Sequence, residues 1–244
     1  MTANELRDDF DRWFKNQVAE GDLPPIHAAT VVVMRDTPHD EEDGVEVLMM
    51  RKNADITFGG AWVFPGGKLD AQDYGSGDDP YAASSTAAVR EAKEEGDIDL
   101  DAADLVRYSH WMPPRSAPKR FSTWFFLAGT SVGDITIDDG EITDAGWVRP
   151  GAMLDRHTAG EVDLAPPTWI TLWDLNRHAT VADALEAAGA ATPEFFVTRI
   201  GRAEEGPVAM WTGDAGYETA DLAVDGPRHR LAMRNDGWVY ERTT

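Results

Sequence analysis

The segment "REAKEE", residues 90–95, sets three glutamates within a single turn and a half of a stretch rich in alanine and glutamate. At about 100° per residue on a helix, Glu91 and Glu95 point almost the same way and Glu94 lies beside them. Arg90 stands four residues before Glu94, the spacing of a supporting ion pair. Hard oxygen donors of this kind suit Mg²⁺ or Mn²⁺, ions that keep part of their water and also bind substrate phosphates. Taken alone the segment describes an ordinary solvated helix, because Glu and Lys are good helix formers. The residues upstream change that reading. In "FPGG" (64–67), Gly66 and Gly67 let bare main chain approach an ion or a phosphate with no side chain between. An acidic helix beside such a turn is expected to form a divalent-cation site that handles a diphosphate.

The spacing resembles the signature of the Nudix hydrolases, in which a glycine and an acidic residue precede Arg-Glu-apolar-x-Glu-Glu-x-Gly-apolar. Gly67 takes the opening glycine, Asp73 the first acidic position, Arg90, Glu91, Glu94 and Glu95 the helix, and Ile98 the closing apolar position. Three departures stand out. Sixteen residues separate Asp73 from Arg90 where the signature has seven, so an inserted loop is expected. Ala92 is smaller than the usual apolar residue. Asp97 stands where the signature has glycine, while Gly96 falls one position early. Aspartate tolerates the left-handed conformation better than most residues, so the helix either ends normally at Asp97 or stops at Gly96 and disturbs Glu95.

The resemblance implies an α/β fold, the Nudix α/β/α sandwich with a mixed sheet. It also implies that Glu91, Glu94, Glu95 and the main chain of Gly66 hold one or more Mg²⁺ or Mn²⁺ ions, with Arg90 orienting the cluster. "GEITDAGWV" resembles the family segment in which a glutamate precedes a strand tryptophan. Glu141, with Trp147 as the marker, would complete the metal site or take the proton from the attacking water, a role one of the helix carboxylates could fill instead.

The substrate is addressed by a second resemblance. "LMMRKNADITFGGAWVFPGGKLD" is similar to the coenzyme A diphosphatase signature through Arg51, Gly60, Phe64 to Gly67 and Asp70, but lacks its intermediate basic residue and histidine. Together with "PPRSAPKRFSTWFFLA", "LAPPTWITLWDL" and "TGDAGYE", it resembles the peroxisomal-type coenzyme A and acyl-CoA diphosphatases. That implies a small-molecule diphosphate substrate cut to a phosphopantetheine fragment and 3′,5′-ADP. ADP-ribose, NADH or another nucleoside diphosphate derivative is the alternative. A ligand-binding regulator that has lost turnover is the third reading. Arg51, Arg115, Lys119, Arg120 and the main chain at Gly67 are candidates for the phosphates, with simple balancing of nearby acids equally open for each cation. Trp62, Trp124 and Trp147 read as core. Trp111 borders a Pro-rich loop, where packing is favoured over stacking on a base.

The elements that must carry these residues follow from pattern. "MTANELRDDFDRWFKNQ" reads as an amphipathic helix within residues 1–25. "HAATVVVMRD" and "VEVLMMRK" read as an antiparallel pair of strands joined by the polar "TPHDEEDG". "AWVFPGG" reads as a third strand ending in a turn, "DAQDYGSGDDPYAASS" as loop, and "STAAVREAKEEG" as helix. "LVRYSHWM", "FSTWFFLAG" and "EITDAGWVRP" add strands, and a short helix is expected over 151–157. A compact core with strands on both sides of one central helix is then complete by about residue 160, giving a domain over 26–160. The extension, 161–244, is expected to pack on it as one or two helices beginning near Pro166 and Pro167, followed by short strands with "NDG" as a hairpin turn.

Bulk properties narrow the partners. The chain has 244 residues, no cysteine and a formal net charge of −22. It shows no basic face for nucleic acid and no attraction for an anionic membrane. No apolar run approaches a membrane span, and the first residues lack an apolar signal core. A cytoplasmic location is expected, and the first helix and the tail are candidate surfaces for a homodimer. A polyanionic substrate meeting so acidic a chain needs a cation to bridge the two.

Overall fold

The computed structural model describes residues 24–37, 44–54, 59–133, 135–137 and 140–243. The expected helix within 1–25 and most of the "TPHDEEDG" loop lie outside the described residues.

The apolar runs form one mixed sheet. Strand β1 (Ile26–Asp36) pairs antiparallel with β2 (Val45–Lys52) and parallel with β6 (Phe121–Gly129). Strand β2 pairs with the short β3 (Trp62–Val63) and with β7 (Ile142–Val148), and β6 pairs antiparallel with β5 (Val106–Met112). Side chains alternate between the two faces of a strand. Val31, Val33, Leu48, Met50, Trp124 and Phe126 enter one buried cluster, while Val32, Met34, Val47, Met49, Phe125 and Leu127 enter another. Both faces are covered, which is why these strands read as unbroken apolar runs rather than as alternating ones.

Helix α1 (Pro80–Gly96) covers the first face. Ala87, Ala88 and Ala92 are its buried contacts, small enough for the helix to lie close on the sheet. The second face is covered by α2 (Pro150–Thr158), α3 (Pro166–Leu175) and α4 (Val181–Ala190). The architecture is the expected α/β/α sandwich. The sheet is not closed by residue 160, however: β8 (Glu194–Val197) runs parallel to β5 at its edge, and α3 and α4 supply much of the second layer. Strands flank α1 in sequence, but in space α1 lies on one face of a single sheet.

Two local readings change. "FPGG" does not end in a turn, because Gly66 and Gly67 lie within β4 (Gly66–Lys68), paired antiparallel with β1. The stretch read as loop contains a 3-10 turn over Ala71–Tyr74 and the first turn of α1, which starts five residues earlier than "STAAVREAKEEG" suggests. Asp79 caps it by accepting a 3.0 Å hydrogen bond from the Tyr81 amide, and Pro80 fills the first helical position, where a missing N–H costs nothing. Arg107 of β5 then secures the helix start, donating to the Tyr81 carbonyl at 2.6 Å and to Ser84 Oγ at 2.9 Å with its guanidinium 3.7 Å from the Tyr81 ring centre.

At the other end Asp97 adopts the left-handed conformation (φ 52°, ψ 34°), and its amide bonds back to the Ala92 and Lys93 carbonyls. Gly96 stays helical and packs against Met50, where a Cβ would come within 2.7 Å of the methyl group. The signature's two small positions are thus shared differently here: glycine gives the close contact and aspartate takes the turn. Asp97→Gly is expected to raise stability by about 0.5–1 kcal/mol by removing the left-handed strain. Loss of the exposed Lys93–Asp97 pair offsets little of this, and urea melts of the two proteins measure the difference.

After β8 the chain forms a second, antiparallel sheet from β9 (Arg199–Ala203), β10 (Gly206–Met210), β11 (His229–Arg234) and β12 (Gly237–Arg242), with "NDG" turning the last hairpin. Trp211 joins this sheet to the main core, edge-on to Trp111 at 5.7 Å and to Phe196 at 5.3 Å. Trp111 itself is buried and stacked on Phe196 at 3.8 Å, so it packs and has no free face for a base. Trp62 and Trp124 are core as expected, whereas Trp147 is only half-buried and lies beneath Arg35.

Candidate active site

The last two turns of α1 pack against the glycines of β4 and the end of β2, with Asp73 on the 3-10 turn and Glu141 just before β7 completing the acidic group. Glu91 and Glu95 lie on the inner side of α1 and Glu94 on the outer, as their helical spacing requires. The main-chain N–H of Gly66 donates to Glu95 Oε2 at 3.0 Å. A Cβ on Gly67 would collide with the Glu91 carboxylate, and one on Gly66 would collide with Thr30 and the Ala29 carbonyl of β1. At Gly66 the β1 main chain leaves no room for a side chain, and at Gly67 a side chain would push the Glu91 carboxylate aside.

Arg90 ties the helix acids to the turn before it. Its Nε and Nη2 donate to the two oxygens of Asp73 at 3.0 Å each, and its Nη1 donates to Glu91 at 2.9 Å and Glu94 at 2.7 Å. Nη2 also reaches the Lys68 carbonyl at 3.1 Å. Hydrogen bonding to Asp73, first among several contacts, raises the Arg90 pKa further above its already high value. Asp73 is buried and also accepts from the Asp70 amide at 2.7 Å.

Lys52 was not among the residues singled out from the sequence, yet it stands at the centre of the second half of the cluster. Alternation along β2 puts it on the α1 face after Leu48 and Met50, and its ammonium bonds Glu95 Oε1. The same nitrogen lies 3.7 Å from Glu141 Oε2. The Asn53 amide donates to the Glu141 carbonyl at 2.8 Å and fixes that residue beside the strand end. Arg51, by the same alternation, falls on the opposite face with Val47 and Met49; it is exposed and donates to the Gly60 carbonyl at 3.3 Å. Arg115 and Lys119 are exposed and Arg120 half-buried in the connection from β5 to β6. The bonds that hold the cluster run through Lys52, Gly66, Arg90 and Asp73 rather than through Arg51, Arg115 or Arg120.

Burial raises the Glu91 pKa to about 7; Arg90 opposes this, and Glu95 and Glu94 add to it. Burial also raises the Glu95 pKa, against Lys52 and the Gly66 amide, with Glu141 pushing the same way as burial. Five carboxylates (Asp73, Glu91, Glu94, Glu95, Glu141) face two cations (Lys52, Arg90), which leaves an excess of three negative charges.

The NUDIX domain family matches residues 25–167, more than half of the chain. The chain belongs to the Nudix family. A NUDIX hydrolase from Alicyclobacillus acidocaldarius is similar over 69% of this chain and 98% of its own, with 25% identity and a TM-score of 0.58. The NUDIX domain of Shewanella oneidensis NrtR, solved with ADP ribose, aligns over 71% of this chain and 96% of its own, with 17% identity and a TM-score of 0.48. No curated protein matches the chain. As a Nudix hydrolase the protein acts on pyrophosphate bonds.

Nudix hydrolases use divalent cations, and the donor set here suits one. It is all oxygen, it includes buried Glu95 and half-buried Glu91 one helical turn apart, and burial, with Glu95 and Glu94 adding to it, raises the Glu91 pKa to about 7. Among the described residues no three acidic or imidazole groups close on a single point. Instead Arg90 gathers Asp73, Glu91 and Glu94, while Lys52 gathers Glu95 and Glu141. Among the described residues no helix is long and apolar enough to cross a membrane.

Proposed function

We propose that this Nudix hydrolase cleaves the diphosphate of a nucleoside diphosphate linked to a second moiety, with coenzyme A or an acyl-CoA as substrate, in a reaction that requires Mg²⁺ or Mn²⁺. The observation that carries the proposal is the surplus of negative charge gathered on half-buried Glu91 and buried Glu95 beside the two glycines of β4. That arrangement repels a diphosphate unless a cation stands between them.

In this reading Glu91, Glu94 and Glu95 hold the cation, and the bare main chain of Gly66 and Gly67 leaves room for phosphoryl oxygens. Such a cation supplies Lewis-acid stabilisation of the diphosphate and activation of the attacking water. Arg90 orients Glu91 and Glu94 through its bonds to them. Glu141, mostly exposed at the mouth of the cluster, takes the proton. The coenzyme A assignment rests on the sequence likeness through Arg51, Gly60, Phe64 to Gly67 and Asp70, and on "LAPPTWITLWDL" and "TGDAGYE". The lack of cysteine suits a reducing cytoplasm.

The test is turnover of coenzyme A, an acyl-CoA, ADP-ribose and NADH with Mg²⁺ or Mn²⁺, with products identified by mass spectrometry in ¹⁸O-labelled water. Phosphopantetheine and 3′,5′-ADP are the expected products, and the label identifies the attacked phosphorus. Glu94→Gln is expected to lower kcat about a hundredfold. Preferred cleavage of ADP-ribose or NADH would replace the substrate assignment. Tight binding with no cleavage of any member would select a regulator.

A further inference from the structure

We infer that Lys52 is a built-in counter-ion that competes with the divalent cation for Glu95 and so lowers the affinity of the resting protein for metal. The inference rests on the metal-dependent reading above and adds a determinant to it.

Four features set Lys52 apart from a surface lysine. Its side chain is only 11% exposed, and its partner carboxylate on Glu95 is 6% exposed. It is positioned by strand alternation along β2, at the point where the β2–β7 register shifts and leaves Thr143 of β7 unpaired between Asp144, opposite Arg51, and Ile142, opposite Lys52. The ammonium takes Glu95 Oε1 while the Gly66 amide takes Oε2, so both oxygens of that carboxylate are engaged. Finally, the nitrogen lies between Glu95 and Glu141, so it neutralises the two carboxylates that Arg90 does not reach.

Two consequences follow from charge alone. A divalent ion that ligates Glu95 must displace the ammonium or share the carboxylate with it, and like charges at such a distance repel. With no ion bound, Lys52 keeps a buried carboxylate paired and the strand end attached to the helix. Removing the positive charge while keeping the fold therefore tightens metal binding. A lysine that served only to fasten Glu95 in its ligating position would have the reverse effect, because its loss would disorder a ligand.

Titration of the purified full-length chain with Mn²⁺ in the absence of substrate, followed by electron paramagnetic resonance, separates these outcomes. Lys52→Gln keeps a hydrogen-bond donor of similar reach without the charge, and Lys52→Met removes both. The expected result is a Kd for Mn²⁺ at least tenfold lower in Lys52→Gln than in the wild type. The Mn²⁺-induced rise in Tm is also expected to be larger in the variant, a comparison that remains informative if Lys52→Met is too unstable to titrate. A Kd unchanged or raised in Lys52→Gln, with Glu95→Gln weakening binding, overturns the counter-ion role and leaves the metal site standing. Binding indifferent to Glu95→Gln overturns the assignment of Glu95 as a ligand, and the competition with it.

Discussion

Arg90→Met is expected to cost about 3–5 kcal/mol of folding stability and to lower turnover about a thousandfold. The stability loss comes from Asp73 more than from the glutamates. Its side chain is 1% exposed and both its oxygens are bound by the guanidinium, so removing Arg90 leaves a buried carboxylate supported by the Asp70 amide alone. Breaking one side of a buried pair is costly because the remaining charge has no water to return to. The bond to Glu94 adds little, since that side chain is 55% exposed and solvent screens it. The catalytic loss has a different origin. Arg90 also holds Glu91 in place from the same Nη1, and misplacing a catalytic group by about 1 Å can cost roughly a hundredfold. Disorder of Glu94 adds to this. Arg90→Lys restores charge without the planar fork that meets Asp73 through two nitrogens, so it is expected to recover only part of either loss. Urea unfolding and steady-state rates measure the two effects separately. An Arg90→Met protein within 1 kcal/mol of wild type would show that Asp73 finds other support and that Arg90 is not the hub.

How far these residues could be read from the sequence depended on what surrounds them. The strands β1, β2 and β6 are legible because layers on both sides make their central positions apolar. The helix carboxylates were legible because 3.6-residue periodicity alone decides which of them point together. "FPGG" reads as a turn for a physical reason: two glycines after a proline have the composition of a turn, and nothing local shows that a helix carboxylate will occupy the space of the missing side chain. The start of α1 was signalled by Asp79 followed by Pro80, a cap and first-turn pair hidden in a run of small polar residues. Lys52 is hidden in the sequence because "RK" at a strand end looks like exit into solvent. Counting by two from Leu48 and Met50 places Lys52 on the helix face and Arg51 on the other, the one available signal that the lysine, and not the arginine, meets the carboxylates. Scarcity of positive charge points to Arg115 and Arg120, but it says nothing about where a loop will carry them.

The C-terminal sheet offers a prediction of similar size and unrelated cause. Asp214→Ala is expected to cost about 3–5 kcal/mol while leaving turnover per folded molecule unchanged. Asp214, from "TGDAGYE", has a fully buried side chain that accepts four hydrogen bonds: from the Gly216 amide at 2.8 Å, the His229 amide at 3.0 Å, and Arg230 Nε and Nη2 at 2.6 Å each. Burial alone would raise its pKa. The Arg230 guanidinium and the two amides outweigh burial and hold it below the ordinary value. A carboxyl with a depressed folded-state pKa stabilises the protein above its unfolded value of about 3.9, and that contribution is lost as pH falls through the folded value. The gap between wild type and Asp214→Ala is therefore expected to be full at neutral pH and to narrow below about pH 4, as denaturant melts across that range would show. Alanine also strands Arg230, whose side chain is only 8% exposed and whose other bond, to the Leu222 carbonyl, is long at 3.4 Å. Most of the cost thus belongs to the arginine left behind rather than to the pair itself. It follows that Asp214→Leu combined with Arg230→Met is expected to be more stable than Asp214→Ala alone, because two apolar side chains leave no buried charge unanswered. If the double variant proves as unstable as Asp214→Ala, removing both charges relieves nothing, and the pair is favourable in its own right rather than a case of mutual neutralisation.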